Sequence, residues 1–239
     1  MGNSKIFQTY KNKNIDWLIL TTLLLIILTL FLIKLSNIDV FIQNYFFDFT
    51  DKEWLIDKSE PFKKNIFHKL PKIIFGLLIF LTIFFAFKYR KNNYFRYQQS
   101  LLIVIGLTVN PIISANIKKF TNIYCPAQLK IYSGNHDYHK IFYINQPDEL
   151  KNKKGQCFPA GHAVAGFSLF ILFFVFQARF LQILSLIMAI LAGWIIGSYQ
   201  MIKGDHFFGD TLISMLLCFM LSAIIARIFF TIKKINKFN

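Results

Sequence analysis

The sequence predicts an all-α protein, an integral membrane bundle of six transmembrane helices with an amphipathic helix at its outer interface. The first observation is composition: 55% of the 239 residues are hydrophobic and 16% are charged, which is too little charge for a soluble domain of this length. The second is run length, since residues 17–33 (WLILTTLLLIILTLFLI) contain threonine as their only polar residue type. A helix needs about 17–25 mostly apolar residues to cross a hydrocarbon core about 30 Å thick.

Six segments meet or approach this length: 15–33, 73–87, 101–117, 162–177, 181–199 and 208–232. The second and fourth are short. The first is not expected to be a cleaved signal peptide, because its apolar run is too long and residues 35–37 (LSN) do not form a small-residue cleavage site. No internal repeat and no Gly/Ser-rich or Pro-rich linker divides the sequence. Residues 1–239 are therefore predicted to form a single membrane domain.

The charged residues predict which side of the membrane each loop faces. With six spans both termini lie on one side, and the short segments there carry eleven Lys and Arg residues and no Asp or Glu: 1–14, 88–100, 178–180 and 233–239. The positive-inside rule makes this side cytoplasmic. The net charge of +15 does not indicate nucleic-acid binding, because the basic residues are spread over both faces of the bilayer. The lysine-rich outer loop 118–161 suits an anionic lipid headgroup instead.

An amphipathic segment follows the first span. Residues 38–49 (IDVFIQNYFFDF) place apolar side chains at helical spacing over a stretch too short to cross a membrane. The pattern predicts a helix that either lies in the outer interface or caps the bundle.

Three polar clusters fall on the predicted outer side. Lys118 and Lys119 end the third span and lead to Cys125, residues 159–162 (PAGH) open the fourth, and residues 203–210 (KGDHFFGD) open the sixth. Because these loops share one membrane face, the clusters are expected to meet in space.

Each cluster also has a purely structural interpretation. A histidine at a helix mouth is often a cap, Asp210 can be an ordinary i,i+4 partner of His206, and lysines at span ends usually snorkel. Ionisable residues at the edge of hydrocarbon are costly, however, and tend to be functional. Two histidines, a carboxylate and several lysines on one face therefore favour a site.

Phosphoryl transfer from a phosphate monoester uses such a set of residues. Lysines and helix N-terminal amides hold the phosphate oxygens. One imidazole attacks phosphorus while a carboxylate orients it, and a second imidazole protonates the leaving alkoxide. Glycine before the helix, as at Gly161, allows close approach of the backbone. No metal and no cofactor is expected, because lysines and amides supply the required positive charge.

The motif spacing resembles the type 2 phosphatidic acid phosphatase (lipid phosphate phosphatase) family, a six-helix membrane bundle with its site on the outer face. The spacing is similar over three stretches: Lys118 to Pro126, Pro159 to His162, and Gln200 through His206 to Asp210. The resemblance covers about residues 100–215. In size and general appearance the chain is most similar to the bacterial lipid A phosphatases of the inner (cytoplasmic) membrane, which places the site in the periplasm.

This resemblance implies a role for each matched residue. His206 would be the nucleophile, Asp210 its orienting carboxylate and His162 the general acid. Lys118 and Gly161 would bind the phosphate.

The sequence departs from the family pattern at three positions. Cys125 and Gln200 stand where the family has arginine, and Ala160 stands where it has serine. Two bidentate phosphate contacts are thereby lost, which a lysine does not reproduce. Lys203 is the expected substitute, with Lys119 and residues 153–154 behind it.

Two cysteines lie beside these motifs. Cys125 and Cys157 fall in the same outer loop, and a disulfide between them would tie the first motif to the second in an oxidising periplasm. Two free thiols are the alternative. Their spacing does not match a zinc finger.

Other functions remain open at this stage. The lipid phosphate could belong to lipid A, as its 1-phosphate, to phosphatidylglycerol phosphate or to an undecaprenyl carrier, or be transferred between lipids. A small membrane transporter is a non-enzymatic alternative. Against it, the ionisable residues lie at helix ends on one face rather than along the spans.

Overall fold

The structure is a computed structural model that describes residues 2–56, 69–140 and 155–235, with side chains from residue 14 to residue 232 within those ranges. Its helices, in chain order, are α1 (Gly2–Leu35), α2 (Ile38–Asn44), α3 (Leu70–Asn92), α4 (Tyr94–Thr121), α5 (Gly161–Phe167), α6 (Ile171–Val175), α7 (Arg179–Ile202) and α8 (Phe208–Ile235). Short 3-10 turns lie at Pro126–Gln128, Lys130–Tyr132 and Ser168–Phe170. A small antiparallel hairpin joins β1 (Phe47–Asp48) to β2 (Glu53–Trp54).

The predicted all-α membrane class is confirmed. Within the described ranges, five helices are long and apolar enough to cross a membrane: Asn14–Leu35, Leu70–Asn92, Tyr94–Gln128, Arg179–Ile202 and Phe208–Ile232. They correspond to five of the six predicted spans.

The predicted fourth span, over 162–177, is short in the structure as it is in the sequence. Residues Gly161–Val175 form a shorter apolar helix, made of α5, a 3-10 turn and α6. At 1.5 Å per residue it extends only about 22 Å, less than a hydrocarbon core of about 30 Å. Phe167, Phe170 and Phe174 along it are almost completely buried. Because other helices surround this segment, its length is not set by the thickness of the bilayer.

Close packing of α5 against α7 depends on two glycines. A Cβ atom added at Gly166 would clash with the α7 backbone at Gly193, and one added at Gly193 would clash with the ring of Phe167. The small residues let the two helices approach closely, as is common between membrane helices. This contact fixes the first turns of α5, which carry His162.

The one arginine in the sixth span has an ionic partner. Arg227 Nε donates to Asp16 Oδ1 at 2.6 Å, and Nη2 donates to Oδ2 of the same carboxylate at 3.1 Å. This bidentate pair links α8 to α1. Arg227 lies several helical turns away from the polar cluster at the beginning of α8.

The predicted amphipathic helix over 38–49 is correct only in its first half. Helix α2 ends at Asn44, and the remaining residues lead into the hairpin. Its face toward the bundle is polar, since Asp39 and Gln43 are buried, whereas Phe41 and Tyr45 are exposed. The apolar side chains that repeat at helical spacing in this segment lie on the outward face of α2. The helix caps the bundle through its polar side chains.

An aromatic cluster covers the loop that precedes α8. Phe47 and Trp54 of the hairpin contact Tyr132 and pack in one cluster with Phe207. Gly204 lies directly under the Trp54 indole, where a Cβ atom would clash, and its φ of +77° favours glycine. The hairpin therefore holds one side of the loop that carries His206.

Candidate active site

Backbone hydrogen bonds bring the three polar clusters to one end of the bundle. The amide of Ala127, just after Cys125 and Pro126, donates to the Gly204 carbonyl at 2.9 Å. The amide of Cys157 donates to the Ile123 carbonyl at 2.8 Å, and the amide of Ala160 donates to the Asp210 carbonyl at 3.3 Å. The end of α4, the beginning of α5 and the α7–α8 loop therefore lie against one another, as the prediction of a shared face requires.

The end of α4 is tied to the segment that leads into α5. Asn122 adopts a left-handed conformation with φ of 46°, and its side chain accepts a hydrogen bond from the Gly155 amide at 2.8 Å. The Thr121 hydroxyl donates to the Phe158 carbonyl at 2.7 Å. These contacts hold residues 155–160 beside the last turn of α4, which carries Lys118.

His206, in the loop just before α8, and Asp210, in the first turn of α8, are both buried. Their side chains are each 3% exposed, and His206 Nδ1 lies 3.6 Å from Asp210 Oδ2. The same carboxylate oxygen accepts the Phe207 amide at 2.9 Å, which fixes its orientation. The distance to His206 exceeds a hydrogen bond, and such contacts are often long before substrate binds. Because Nδ1 faces the carboxylate, Nε2 is the ring nitrogen left for chemistry.

The environment of His206 favours its neutral form. Burial lowers the pKa of His206, and the charge of Lys118 lowers it further, whereas Asp210 and Asp205 act in the opposite direction. The burial effect is the largest. A neutral imidazole has a free electron pair on one ring nitrogen, which a nucleophile or a base requires.

His162 lies across from His206. The two ring centroids are 6.0 Å apart, and the ring planes are inclined by 56°. His162 is partly exposed, at the second residue of α5. The two imidazoles are therefore close neighbours at one end of the bundle.

Lys118 and Gly161 are neighbours. Lys118 Nζ donates to the Gln156 carbonyl at 3.2 Å, and a Cβ atom added at Gly161 would lie 3.3 Å from Nζ. Glycine therefore leaves room for the lysine ammonium beside the first backbone amides of α5. A cation and unhindered amides together form an anion-binding arrangement.

The other two predicted phosphate ligands are placed differently. Lys203 is buried, and its Nζ forms an ion pair with Asp205 Oδ2 at 2.6 Å. It also lies 5.3 Å from the centre of the Tyr199 ring. Lys119 is exposed, and within the described part of the chain it has no ion pair. The remaining predicted cations, residues 153–154, lie outside the described residues.

Gln200, at the position where the family pattern has arginine, is completely buried. Neither its amide nitrogen nor its amide oxygen has a hydrogen-bond partner among the described residues. Its backbone carbonyl accepts the Asp205 amide at 2.8 Å, which shapes the turn before His206.

Cys125 and Cys157 form a disulfide in the structure, with Cα atoms 5.0 Å apart. Cys157 Sγ lies 3.4 Å from His206 Nδ1, so the bridge packs directly against the imidazole. Ligand atoms of these two cysteines and His206 lie within 4.8 Å of one another. Because the disulfide engages both sulfurs, the group offers no thiolate to a metal ion.

Asp39 is a site neighbour that the sequence did not indicate. Its Oδ1 accepts the Gly209 amide at 2.7 Å, next to Asp210. Burial raises the pKa of Asp39 to about 7, and the nearby charge of Asp210 contributes, whereas the Gly209 amide and Lys140 act in the opposite direction. The sequence signal for a role of Asp39 was its i,i+4 spacing with Gln43, which places both on the side of α2 opposite its apolar residues.

Fold and site together define a multi-pass membrane protein with a buried histidine–carboxylate pair at one end of its bundle. Residues 99–234 match the family model of the PAP2 superfamily. The match spans more than half of the chain, and the protein belongs to this superfamily, as the motif resemblance predicted. Its members are phosphatases that act on phosphorylated lipids in membranes. Comparisons with curated proteins and with solved structures gave no match.

Proposed function

We propose that the protein hydrolyses a phosphate monoester on a lipid headgroup through a phosphohistidine intermediate on His206. The observation that carries this proposal is the placement of His206 between two groups. Asp210 Oδ2 lies 3.6 Å from its Nδ1, and the His162 ring lies 6.0 Å from its own ring, centre to centre. A nucleophile with an orienting carboxylate on one side and a second imidazole on the other matches a two-step displacement.

In the first step, Nε2 of neutral His206 attacks phosphorus, and the bond from phosphorus to the lipid oxygen breaks. His162, protonated, gives its proton to the leaving alkoxide, which departs as the lipid alcohol. Asp210 stabilises the positive charge that develops on the His206 ring. In the second step, water attacks the phosphohistidine, His162 takes the proton from that water, and inorganic phosphate leaves.

Lys118 and the first amides of α5 are the proposed phosphate ligands. They lie side by side at Gly161, and charge from Lys118 reaches His206. Lys203 is the proposed second cation, and it would exchange its contact with Asp205 for a phosphate oxygen. Lys119, being exposed, is assigned a secondary role.

An apolar cavity beside the site supports a lipid substrate. It measures about 230 Å³ and is lined by α3, α5 and α7. Ala165 and Leu169 contribute to its wall, and they follow His162 by three and seven residues, on the same face of the helical segment. A lipid with its phosphate at His162 would have apolar surface alongside its acyl chains.

The substrate that we propose is the 1-phosphate of lipid A. Phosphatidylglycerol phosphate, an undecaprenyl phosphate or diphosphate, and transfer of phosphate between lipids are the alternatives. We further propose that the chain forms one domain in a bacterial inner membrane, with both termini cytoplasmic and the site periplasmic. The distribution of basic residues among short loops supports this orientation.

The experiment is phosphate release by the detergent-solubilised protein from lipid A, phosphatidylglycerol phosphate, undecaprenyl diphosphate and short-chain phosphatidic acid. The proposal expects the highest kcat/KM on lipid A, with release of its 1-phosphate. Preference for another lipid would overturn the substrate assignment alone. Release from none of them, by protein that is folded, would overturn the proposed function.

A further inference from the structure

The polar face of α2 reaches into the bundle with two side chains one helical turn apart. Asp39 is 5% exposed and Gln43 is completely buried. Burying a carboxylate and an amide is costly unless hydrogen bonds compensate. A helix that only shielded the bundle would present its apolar face instead, and here that face points outward.

Both side chains bind backbone groups that flank the loop containing His206. Asp39 Oδ1 accepts the Gly209 amide at 2.7 Å. Gln43 Nε2 donates to the Met201 carbonyl at 2.8 Å. Met201 belongs to the last turn of α7 and Gly209 to the first turn of α8. One short helix therefore fixes the two ends of the catalytic loop relative to each other.

The residue at 209 fits this contact. A Cβ atom there would lie 2.9 Å from Asp39 Oδ2, 3.0 Å from Oδ1 and 2.7 Å from Ile33 Cδ1. Side-chain carbon atoms do not approach oxygen or carbon so closely. Glycine is thus what lets the carboxylate reach the backbone amide directly beside Asp210.

We propose that α2 is a clamp on the catalytic loop, and that Asp39 and Gln43 are positioning residues for His206 and Asp210. This inference rests on the proposed function, because it takes His206 as the nucleophile. The clamp holds the loop that delivers the nucleophile, whereas the phosphate ligands Lys118 and Gly161 belong to α4 and α5. Loosening it should therefore lower kcat while leaving KM nearly unchanged.

The titratable and charged groups that act on Asp39 come from α8 and from the segment that follows α4. They are the Asp210 carboxylate and Gly209 amide on α8, Lys140 in the loop after α4, and the Tyr132 and Tyr138 hydroxyls. Burial raises the pKa of each tyrosine, so both remain neutral donors. Asp210 and Lys140 act on Asp39 in opposite directions. The contact to Gly209 needs only an acceptor oxygen, which a neutral side chain also provides.

The kinetic test compares variants of α2 on a soluble phosphate ester and on lipid. Asp39→Ala should lower kcat about 10–100-fold, the scale of a catalytic group displaced by about 1 Å, with KM within twofold. Asp39→Asn keeps an acceptor oxygen and should restore kcat to within threefold of wild type. Gln43→Ala should act in the same direction as Asp39→Ala. Phe41→Ala, on the exposed face of the same helix, is the matched control and should behave as wild type.

Hydrogen–deuterium exchange gives a readout that does not depend on activity. Amides of residues 202–209 should exchange faster in Asp39→Ala than in wild type or Phe41→Ala, and the core of α7 should not change. Failure of the proposed function would appear as an inactive wild type with the exchange difference intact. The clamp is overturned if Asp39→Ala leaves kcat and exchange unchanged, if Asp39→Asn is as impaired as Asp39→Ala, or if the loss is in KM.

Discussion

The ring of His162 lies 6.0 Å from the ring of His206, centre to centre, although His162 is in α5 and His206 is in the loop between α7 and α8. The distance is set by packing of α5 against α7 and by the hydrogen bond from the Ala160 amide to the Asp210 carbonyl. This proximity supports the proposed role of His162 as the general acid.

His162→Ala is expected to slow hydrolysis of a lipid phosphate about 10²–10⁴-fold, the usual contribution of general acid catalysis. A nitrophenyl phosphate has a leaving group that needs no proton, so its first step should be affected much less. Pre-steady-state bursts on both substrates measure this difference. Equal losses of the first step on both would remove His162 from the role of acid.

The substitution series at Lys203 tests the second phosphate-binding cation. Lys203→Ala should cost about 2–4 kcal/mol of transition-state stabilisation, the scale of one lost oxyanion donor. Lys203→Arg should retain part of it, because charge survives while geometry changes. Gln200→Arg in the Lys203→Ala background should recover activity. Steady-state kinetics at matched expression give these values.

Lys119→Ala is the control for that series, since Lys119 is exposed. A second comparison is Asp205→Asn, which frees Lys203 from its ion pair and should not mimic Lys203→Ala. If Lys203→Ala is silent and Lys119→Ala is severe, the phosphate is held from the α4 side instead.

Most of the framework follows from the sequence. The spans were visible as apolar runs, and motifs far apart in sequence converge because span ends on one membrane side must lie together. The disulfide pairing was one of two alternatives that the sequence left open. The short fourth span was also visible, and burial of Phe167 and Phe170 by neighbouring helices explains why it need not have full membrane-spanning length.

Contacts between neighbouring groups could not be predicted in the same way. A prediction from hydrophobic periodicity assumes that the apolar face of a helix is the buried one. In α2 the buried face is instead the polar one, which carries Asp39 and Gln43. Likewise, the sequence did not indicate that Lys203 forms an ion pair with Asp205, two residues away. Side-chain pairing depends on tertiary geometry that spacing alone does not contain.

The ionisation of Asp39 predicts a pH dependence of stability. Its pKa is about 7 in the fold against an ordinary 3.8, so the folded state binds more protons between these values. Protonation of Asp39 therefore stabilises the folded state. This contribution is complete below about pH 4 and is lost as pH rises through 7. The melting temperature of wild type minus that of Asp39→Asn, both measured in detergent, should fall as pH rises from 5 to 8. A difference that rises with pH would contradict the assignment.

The proposed orientation predicts where hydrolysis takes place. A substrate made inside the cell must first cross to the outer face. Blocking lipid export should leave that lipid phosphorylated although the enzyme is present. Continued dephosphorylation during the block would contradict an outer site.

Trapping the phosphoenzyme tests the role of His206 most directly. Protein quenched during turnover of a labelled lipid phosphate should carry phosphate that is lost in acid and retained in alkali, on the peptide that contains His206. His206→Ala should insert and fold as wild type, as judged by its elution and melting in detergent, yet carry no label and show no turnover. Label on another residue, or turnover by His206→Ala at the wild-type rate, would contradict nucleophilic attack by His206.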